Sequence, residues 1–251
     1  TVYALPVYDA EDVSAQWVFT PKYKQEKGQF LDRTIRRTPL EAAPDNTPTQ
    51  YVQLSGKLDV MQLDGRQRFY TDLTALPNGP ITMEIVFRPD AVDREQILCI
   101  QRGAQATLII DSQGYLVARR LPQVRKYPDP YAQVRSRQPL QAGKLYQAIV
   151  VFDGSEFKLF LNGQLENQTA CFGRRSTEMF VVGGPALPRS VIVDKDEIKP
   201  ALKQVIREID GVHERSFYKG LLVRLTLMSR ALTSDEVYAS FGRLQASCFW
   251  E

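Results

Sequence analysis

The sequence has 251 residues, of which 43% are hydrophobic and 24% are charged, and its formal net charge at pH 7 is +3. This composition is typical of a globular protein and excludes a chain that is disordered throughout. The small net charge gives no indication of nucleic-acid binding. No apolar run reaches the length of about 18 residues that a membrane-spanning helix requires, so we predict no membrane span.

The histidine and cysteine counts limit the chemistry that the chain can perform. The one histidine, His213, excludes a zinc site built from three histidines, and no Gly-x-Ser-x-Gly motif indicates a nucleophilic serine. Three cysteines allow at most one intrachain disulfide bond, which Cys171 and Cys248 can form in an oxidising compartment. Cys99 lies in an apolar run and is expected to be a buried thiol.

Alternating apolar and polar residues predict a series of strands through the middle of the chain. The clearest strand is 81–88, which ends at Pro89. Asp153-Gly154 and Asn162-Gly163 are typical of tight hairpin turns, because these pairs tolerate positive φ angles. Further strands are predicted at 96–101, 106–111, 115–119, 145–152, 157–161, 179–182 and 221–228. Strands at short intervals with hardly any helix between them predict an all-β fold, a sandwich of two antiparallel sheets.

Two segments have helical patterns instead. A helical insertion is predicted at about 194–210. The insertion carries an apolar stripe of Leu202, Val205, Ile206 and Ile209. This stripe either packs onto the sandwich, which we favour, or contacts a partner. Thr233 and Glu236 form the Thr-x-x-Glu pattern of a capping box, which predicts a short C-terminal helix through Phe241. The segment 39–48, with its three prolines, is predicted to be a surface loop.

Two long runs carry a resemblance to a known family. Residues 145–164 contain a strand, an Asp-Gly-Ser turn, a strand with alternating leucine and aromatic residues, and Asn-Gly. Residues 218–237 contain a closing strand followed by Arg-Ala-Leu-Thr-Ser-Asp-Glu-Val. Together with Arg88-Pro89 at the end of a strand and the pair Gly183-Gly184, these runs resemble LamG-like domains of the concanavalin A-like lectin/glucanase superfamily. The resemblance covers about residues 15–243.

The resemblance implies a single jelly-roll-like domain over residues 1–251, located outside the cytoplasm as a secreted, periplasmic or cell-surface protein. Because the chain begins with Thr1 rather than Met, we also expect that a leader or a longer parent protein was trimmed. The chain departs from the family in two places. Leu222-Val223-Arg224 stands where many relatives have an acidic pair, and the segment 186–217 is much longer than the usual link.

The superfamily includes glycoside hydrolases, which need paired carboxylates. Glu208, Asp210 and Glu214 come nearest to such a set, but their spacing is irregular for a strand and Gly211 weakens a strand there. The sequence therefore favours a solvated loop at this position. We predict no enzyme activity and no catalytic residue.

Calcium is compatible with the fold that the resemblance implies, but no specific residues support it. The acidic candidates are Asp194, Asp196 and Glu197 in the insertion, with Asp90 and Asp93 after a strand. They lack the spacing of an EF-hand calcium loop, and the family's acidic pair is missing. We therefore predict no cofactor and assign no metal ligand.

A basic and aromatic stretch is the candidate ligand-binding site. Aromatic faces stack on sugar rings, and arginine offers paired donors to carboxylate or sulfate groups. The candidate residues are Arg119, Arg120, Arg125, Tyr127 and Tyr131. They are expected on a long loop at the rim of the sandwich. The alternative is a solvated loop whose arginines pair with Asp129 and other acidic residues.

The resemblance therefore implies a non-catalytic recognition module that binds a glycan or a protein partner through rim loops. The first alternative is a structural or assembly role in a larger extracytoplasmic complex, which an exposed apolar patch would indicate. A glycoside hydrolase or lyase is the weaker alternative. No nucleic-acid partner is expected, and the sequence predicts no particular oligomeric state.

Overall fold

The computed structural model describes residues 12–25, 28–34, 38–43, 46–71, 79–101, 107–120, 132–172, 180–185 and 216–247. Within these ranges the chain forms sixteen strands, a short 3₁₀ helix (Pro21–Tyr23) and the α-helix α1 (Ser234–Gln245). The strands are β1 (Val13–Val18), β2 (Phe30–Leu31), β3 (Pro39–Ala42), β4 (Gln50–Leu54), β5 (Leu58–Asp64), β6 (Phe69–Thr71), β7 (Ile81–Pro89), β8 (Gln96–Gln101), β9 (Thr107–Ile110), β10 (Leu116–Arg120), β11 (Ala132–Arg135), β12 (Tyr146–Phe152), β13 (Glu156–Leu161), β14 (Gln164–Ala170), β15 (Phe180–Val182) and β16 (Lys219–Met228).

The strands form two antiparallel sheets of eight strands each. The first sheet has the order β14-β13-β12-β7-β16-β5-β4, and β1 also pairs with β16. The second sheet has the order β11-β10-β9-β8-β15-β6-β3-β2. Apolar side chains from the inner faces of both sheets form one large core, which includes Trp17, Phe87, Phe157 and Phe180. The predicted all-β sandwich with a jelly-roll architecture is confirmed.

Most predicted elements are present, with some differences at the edges. The strands predicted by alternation correspond to β7–β10, β12, β13, β15 and β16. The predicted capping box is present at Thr233 and Glu236, and α1 continues past Phe241 to Gln245. The surface loop predicted from residue 39 is wrong at its start, because Pro39 begins β3 and pairs with Leu31. The predicted insertion at 194–210 lies outside the described residues. In the described ranges, no helix has both the length and the hydropathy needed to span a membrane.

A glycine lets β16 approach β7 closely. Gly220 has a φ of +148°, and a Cβ atom there would lie 2.6 Å from the Tyr218 hydroxyl oxygen and 2.9 Å from the Pro89 Cα atom. It would also collide with the carbonyl oxygen of Arg88. Because two of these three contacts are with backbone atoms, a larger residue at position 220 would force the two strands apart.

We predict that Gly220→Ala lowers the free energy of unfolding by about 3 kcal/mol, because backbone strain and overpacking act together. Urea unfolding followed by circular dichroism measures the change. Gly56→Ala is the matched control, since Gly56 also has a positive φ of +64° but nothing lies within 4 Å of an added Cβ. Its cost should be about 1–2 kcal/mol. Equal costs for the two variants would refute the proposed steric constraint.

The helix α1 covers the outer face of the first sheet. Its buried residues Val237, Ser240 and Leu244 form one stripe along the helix. Val237 packs in a cluster with Ile149 and Met228, and Leu244 packs in a second cluster with Val86 and Val223. Ser240 lies between these two residues on the helix and contacts a buried polar group instead.

This polar group is centred on Glu84, which is fully buried. The Glu84 Oε1 atom accepts hydrogen bonds from Arg224 Nη2 at 2.7 Å and from Gln147 Nε2 at 2.6 Å. Gln147 Nε2 also donates to Ser240 Oγ on α1 at 3.1 Å. A bulge in β16 between Leu222 and Arg224 brings Arg224 opposite Val86. Arg224 therefore has its carboxylate partner on the adjacent strand β7.

We predict that Arg224→Met lowers the free energy of unfolding by about 3–5 kcal/mol, because it leaves the buried Glu84 carboxylate without its cation. The double variant Glu84→Leu/Arg224→Met should cost less than Arg224→Met alone. Urea unfolding of both single variants and the double variant gives the coupling energy. Additive costs would mean that the two side chains do not depend on each other.

Candidate functional site

Of the five candidate residues, the structure describes Arg119 and Arg120, which lie on β10 next to β11 at one edge of the second sheet. Arg119 pairs with Gln133, and Val117 pairs with Arg135. Side chains alternate from Tyr115 along β10, so Leu116 and Ala118 enter the core, while Tyr115, Val117 and Arg119 lie on the opposite face of the sheet. On that face, Val117 is buried in a small cluster with Ile97 and Ile109. We call Tyr115, Arg119, Gln133 and Arg135 the β10–β11 surface.

Each arginine of the β10–β11 surface is held by its neighbours. The Arg119 Nε atom donates to Gln133 Oε1 at 2.9 Å. The guanidinium of Arg135 lies 3.5 Å from the centre of the Tyr115 ring. Its Nη2 atom contacts Asp111 Oδ2 at 2.9 Å and Gln113 Oε1 at 2.6 Å. Two guanidinium groups are therefore kept in fixed orientations on one face of the sheet.

The structure places Arg120 away from this surface. Arg120 follows Ala118 on the inner side of β10 and is 2% exposed. Its guanidinium stacks 3.6 Å from the centre of the Phe152 ring and hydrogen-bonds the thiol of Cys171. Burial lowers the pKa of Arg120 to about 10, although Cys171 opposes this shift. Burial also raises the pKa of the Cys171 thiol, against the opposing effect of Arg120.

The other sequence-predicted residues are not located by the structure. Arg125, Tyr127 and Tyr131 lie outside the described residues, in the segment that joins β10 to β11. Their role in ligand binding stays a prediction, as does that of Arg119. Cys248 also lies outside the described residues, so a Cys171–Cys248 disulfide stays a prediction. Cys99 is buried in the core, which raises the pKa of its thiol to about 12 despite a hydrogen bond from Leu108.

We predict that Arg120→Ala lowers the free energy of unfolding by about 2–3 kcal/mol, because it removes a stacked cation and leaves a cavity against Phe152. Arg119→Ala should change it by no more than about 0.5 kcal/mol, since Arg119 lies at the surface. Thermal and urea unfolding compare the two variants. If both lose the same stability, then the assignment of Arg120 to the interior and Arg119 to the surface is wrong.

The structure contains a groove that the sequence analysis did not identify. It has a volume of about 580 Å³ and lies between the segment after β1 and the segment after β2. The groove is lined by Lys22, Tyr23, Gln25, Leu31, Asp32, Arg33 and Thr34. We call it the β1–β2 groove. A sequence signal was present, because residues 22–37 contain six lysines and arginines around Tyr23.

Cations flank the aromatic ring of the β1–β2 groove. The Lys22 Nζ atom lies 5.6 Å and the Arg33 guanidinium 5.2 Å from the centre of the Tyr23 ring. The Asp32 carboxylate accepts hydrogen bonds from the backbone amides of Thr34 and Thr38, one on each oxygen. Both carboxylate oxygens are therefore used to shape the loop that carries Arg33.

Most of the acidic candidates for catalysis and calcium binding are not located by the structure. Glu208, Asp210 and Glu214 lie outside the described residues, as do Asp194, Asp196 and Glu197. Asp90 accepts a hydrogen bond from Gln62 Nε2 at 2.8 Å. The part of the chain that the structure describes holds no cluster of three or more side chains suited to a metal ion.

Three solved structures share this fold. Domain 4 of AbnA, a GH43 extracellular arabinanase from Geobacillus stearothermophilus, in complex with arabinotriose, has a TM-score of 0.63 at 13% identity, over 91% of this chain and 98% of that chain. The binding domain of botulinum neurotoxin DC in complex with rat synaptotagmin II has a TM-score of 0.62 at 7% identity, over 94% and 53%. A structure of botulinum neurotoxin type C, whose cell entry is dependent upon interaction with two ganglioside molecules, has a TM-score of 0.61 at 8% identity, over 94% and 52%. This chain therefore spans about half the length of the two toxin chains.

At these identities the likeness shows a shared fold. No curated protein matches the sequence. The family model Laminin_G_3, described as the concanavalin A-like lectin/glucanases superfamily, matches residues 49–187, which is more than half of the chain. This match confirms the resemblance that the run at 145–164 indicates. The chain belongs to the laminin G-like family of the concanavalin A-like lectin/glucanases superfamily.

Proposed function

We propose that this chain is a single, non-catalytic recognition domain that binds carbohydrate outside the cytoplasm. The observation that carries this proposal is the pair of oriented guanidinium groups, Arg119 and Arg135, beside Tyr115 on the β10–β11 surface. Such groups donate paired hydrogen bonds to the carboxylate, sulfate or hydroxyl oxygens of a glycan. The sequence between β10 and β11 contains the other three candidate residues, Arg125, Tyr127 and Tyr131.

Related folds support binding rather than catalysis. The arabinanase domain that shares the fold is bound to arabinotriose, and the toxin structures are described by their ganglioside and synaptotagmin interactions. In the described sheets, the buried carboxylate of Glu84 is paired with Arg224 beneath α1 and is not accessible to a substrate. A rigid scaffold with polar groups at its edges is suited to recognition through loops.

A protein partner is the second candidate. The large apolar side chains that are exposed in the described residues are Phe172 and Tyr238, at 65% and 64% exposure. Phe172 follows β14 and Tyr238 lies on α1, and these two elements are in contact. Exposed aromatic residues are typical anchors of protein interfaces. If no glycan binds, these exposed aromatic side chains favour a structural or assembly role.

We predict that residues 1–251 bind glycans on a broad array, and that Arg119→Ala and Arg135→Ala each weaken binding about tenfold or more, because each removes a charged hydrogen-bond donor. Affinities are measured by titration calorimetry, with calcium and again with a chelator. Arg243→Ala is the matched control, since it removes an equal charge from the exposed face of α1. A blank array under both conditions would refute the carbohydrate proposal and leave the protein partner.

A further inference from the structure

We infer that the β1–β2 groove is a second glycan-binding site, which takes an acidic sugar such as a uronate or a sulfated unit. This inference concerns a different surface from the β10–β11 surface. β2 and β11 are the outermost of the eight strands in the second sheet. Seven strand spacings of about 4.8 Å therefore separate them along the sheet, a path of about 34 Å. A short oligosaccharide cannot occupy both surfaces at once.

The groove is open to solvent, and its volume is that of a small-molecule site. Its volume of about 580 Å³ is within the range of about 300–1,000 Å³ that is typical of small-molecule sites. Leu31 of β2, the last strand of the second sheet, lines the groove. The opposite edge is joined by Arg137, whose backbone amide donates to Glu166 Oε2 at 2.7 Å. The groove therefore lies at the β2 edge of the second sheet.

Tyr23 gives the groove a rigid aromatic surface. One part of its side chain packs against the apolar cluster that includes Val18 and Val60, which fixes the position of the ring. The cations near the ring are 5.2–5.6 Å from its centre, whereas Arg135 contacts Tyr115 at 3.5 Å. Both cations lie over the Tyr23 ring at cation–π distance. A sugar that stacks on the ring therefore displaces at least one of them, which then can pair with an acidic group on the sugar.

The charge of the groove selects an acidic ligand. Among the described residues, neither Lys22 nor Arg33 forms an ion pair with a carboxylate, and both are exposed. The carboxylate of Asp32 is occupied by the amides of Thr34 and Thr38. The groove therefore has two cations and one carboxylate, whose oxygens are already hydrogen-bonded to the backbone, and its net charge is positive. A carboxylate or sulfate on a stacked sugar would lie within reach of both Lys22 and Arg33, and the Gln25 amide can bond its hydroxyl groups.

Calorimetric titration of residues 1–251 tests this inference with three probes: a galacturonic acid trimer, a sulfated galactose trimer and the uncharged galactose trimer. The expected result is that at least one acidic trimer binds at least tenfold more tightly than the uncharged trimer, with affinity that falls as salt rises. The two acidic probes distinguish carboxylate from sulfate as the recognised group. Equal affinity for acidic and uncharged trimers, or no binding of either acidic trimer, would overturn the inference.

Variants locate the bound sugar. Arg33→Gln, at an exposed position, should weaken binding of the preferred acidic trimer about tenfold, and Tyr23→Ala should weaken it at least as much. Arg243→Gln, a charge-matched change on α1, should leave it unchanged. Circular dichroism checks that each variant is folded. If Tyr23→Ala is unfolded, Arg33→Gln alone still tests the site.

Comparison with Arg119→Ala separates this inference from the proposed function. If Arg33→Gln has no effect and Arg119→Ala weakens binding, the acidic sugar occupies the β10–β11 surface and the inference fails. If Arg33→Gln weakens binding and Arg119→Ala does not, the groove is the site and the proposal for the β10–β11 surface fails. Loss in both variants with a stoichiometry of two sugars per chain supports both sites.

Discussion

The close contact between β16 and β7 organises the first sheet. β16 pairs with β7 along its length, with β5 through residues 219–222 and with β1 through residues 224–228. Gly220 permits the approach at the start of the strand, and the bulge after Leu222 changes which side chains face outward. This bulge brings Arg224 to Glu84 and provides the polar group that Ser240 of α1 contacts. The position of the helix and the pairing of the sheet therefore depend on the same short segment.

The two candidate sites lie at opposite edges of the second sheet, and they differ in how they hold their cations. On the β10–β11 surface, each arginine already has polar or aromatic partners, so its direction is set before a ligand arrives. In the β1–β2 groove, Lys22 and Arg33 lie further from the Tyr23 ring than Arg135 lies from the Tyr115 ring, and both line an open groove. The first arrangement favours orientation of a ligand group, and the second leaves its cations exposed to an incoming acidic group.

The sequence predicts the interior strands well because period-two alternation follows directly from burial on one face. It does not predict β14, since Gln164–Ala170 is mostly polar and partly or fully exposed along the edge of the sheet. The position of Arg120 was predictable in principle, because it continues the inward series of Leu116 and Ala118. The β1–β2 groove was not, because its volume depends on where two connecting segments meet in space. The sequence alone shows only that several lysines and arginines lie near Tyr23 along the chain.

The pairing of β1 with β16 joins the two ends of the described chain. Gln16 hydrogen-bonds Thr226 across 210 positions of sequence, and Trp17 of β1 belongs to the main core. A ribosome must therefore release the chain from β1 through β16 before the first sheet can close, and contacts of such long range make folding slow. The segment that matches the family model, 49–187, holds neither β1 nor β16. A fragment cut at those bounds would lose the strand between β7 and β5, so the family match marks a recognisable part of this domain rather than its autonomous folding unit.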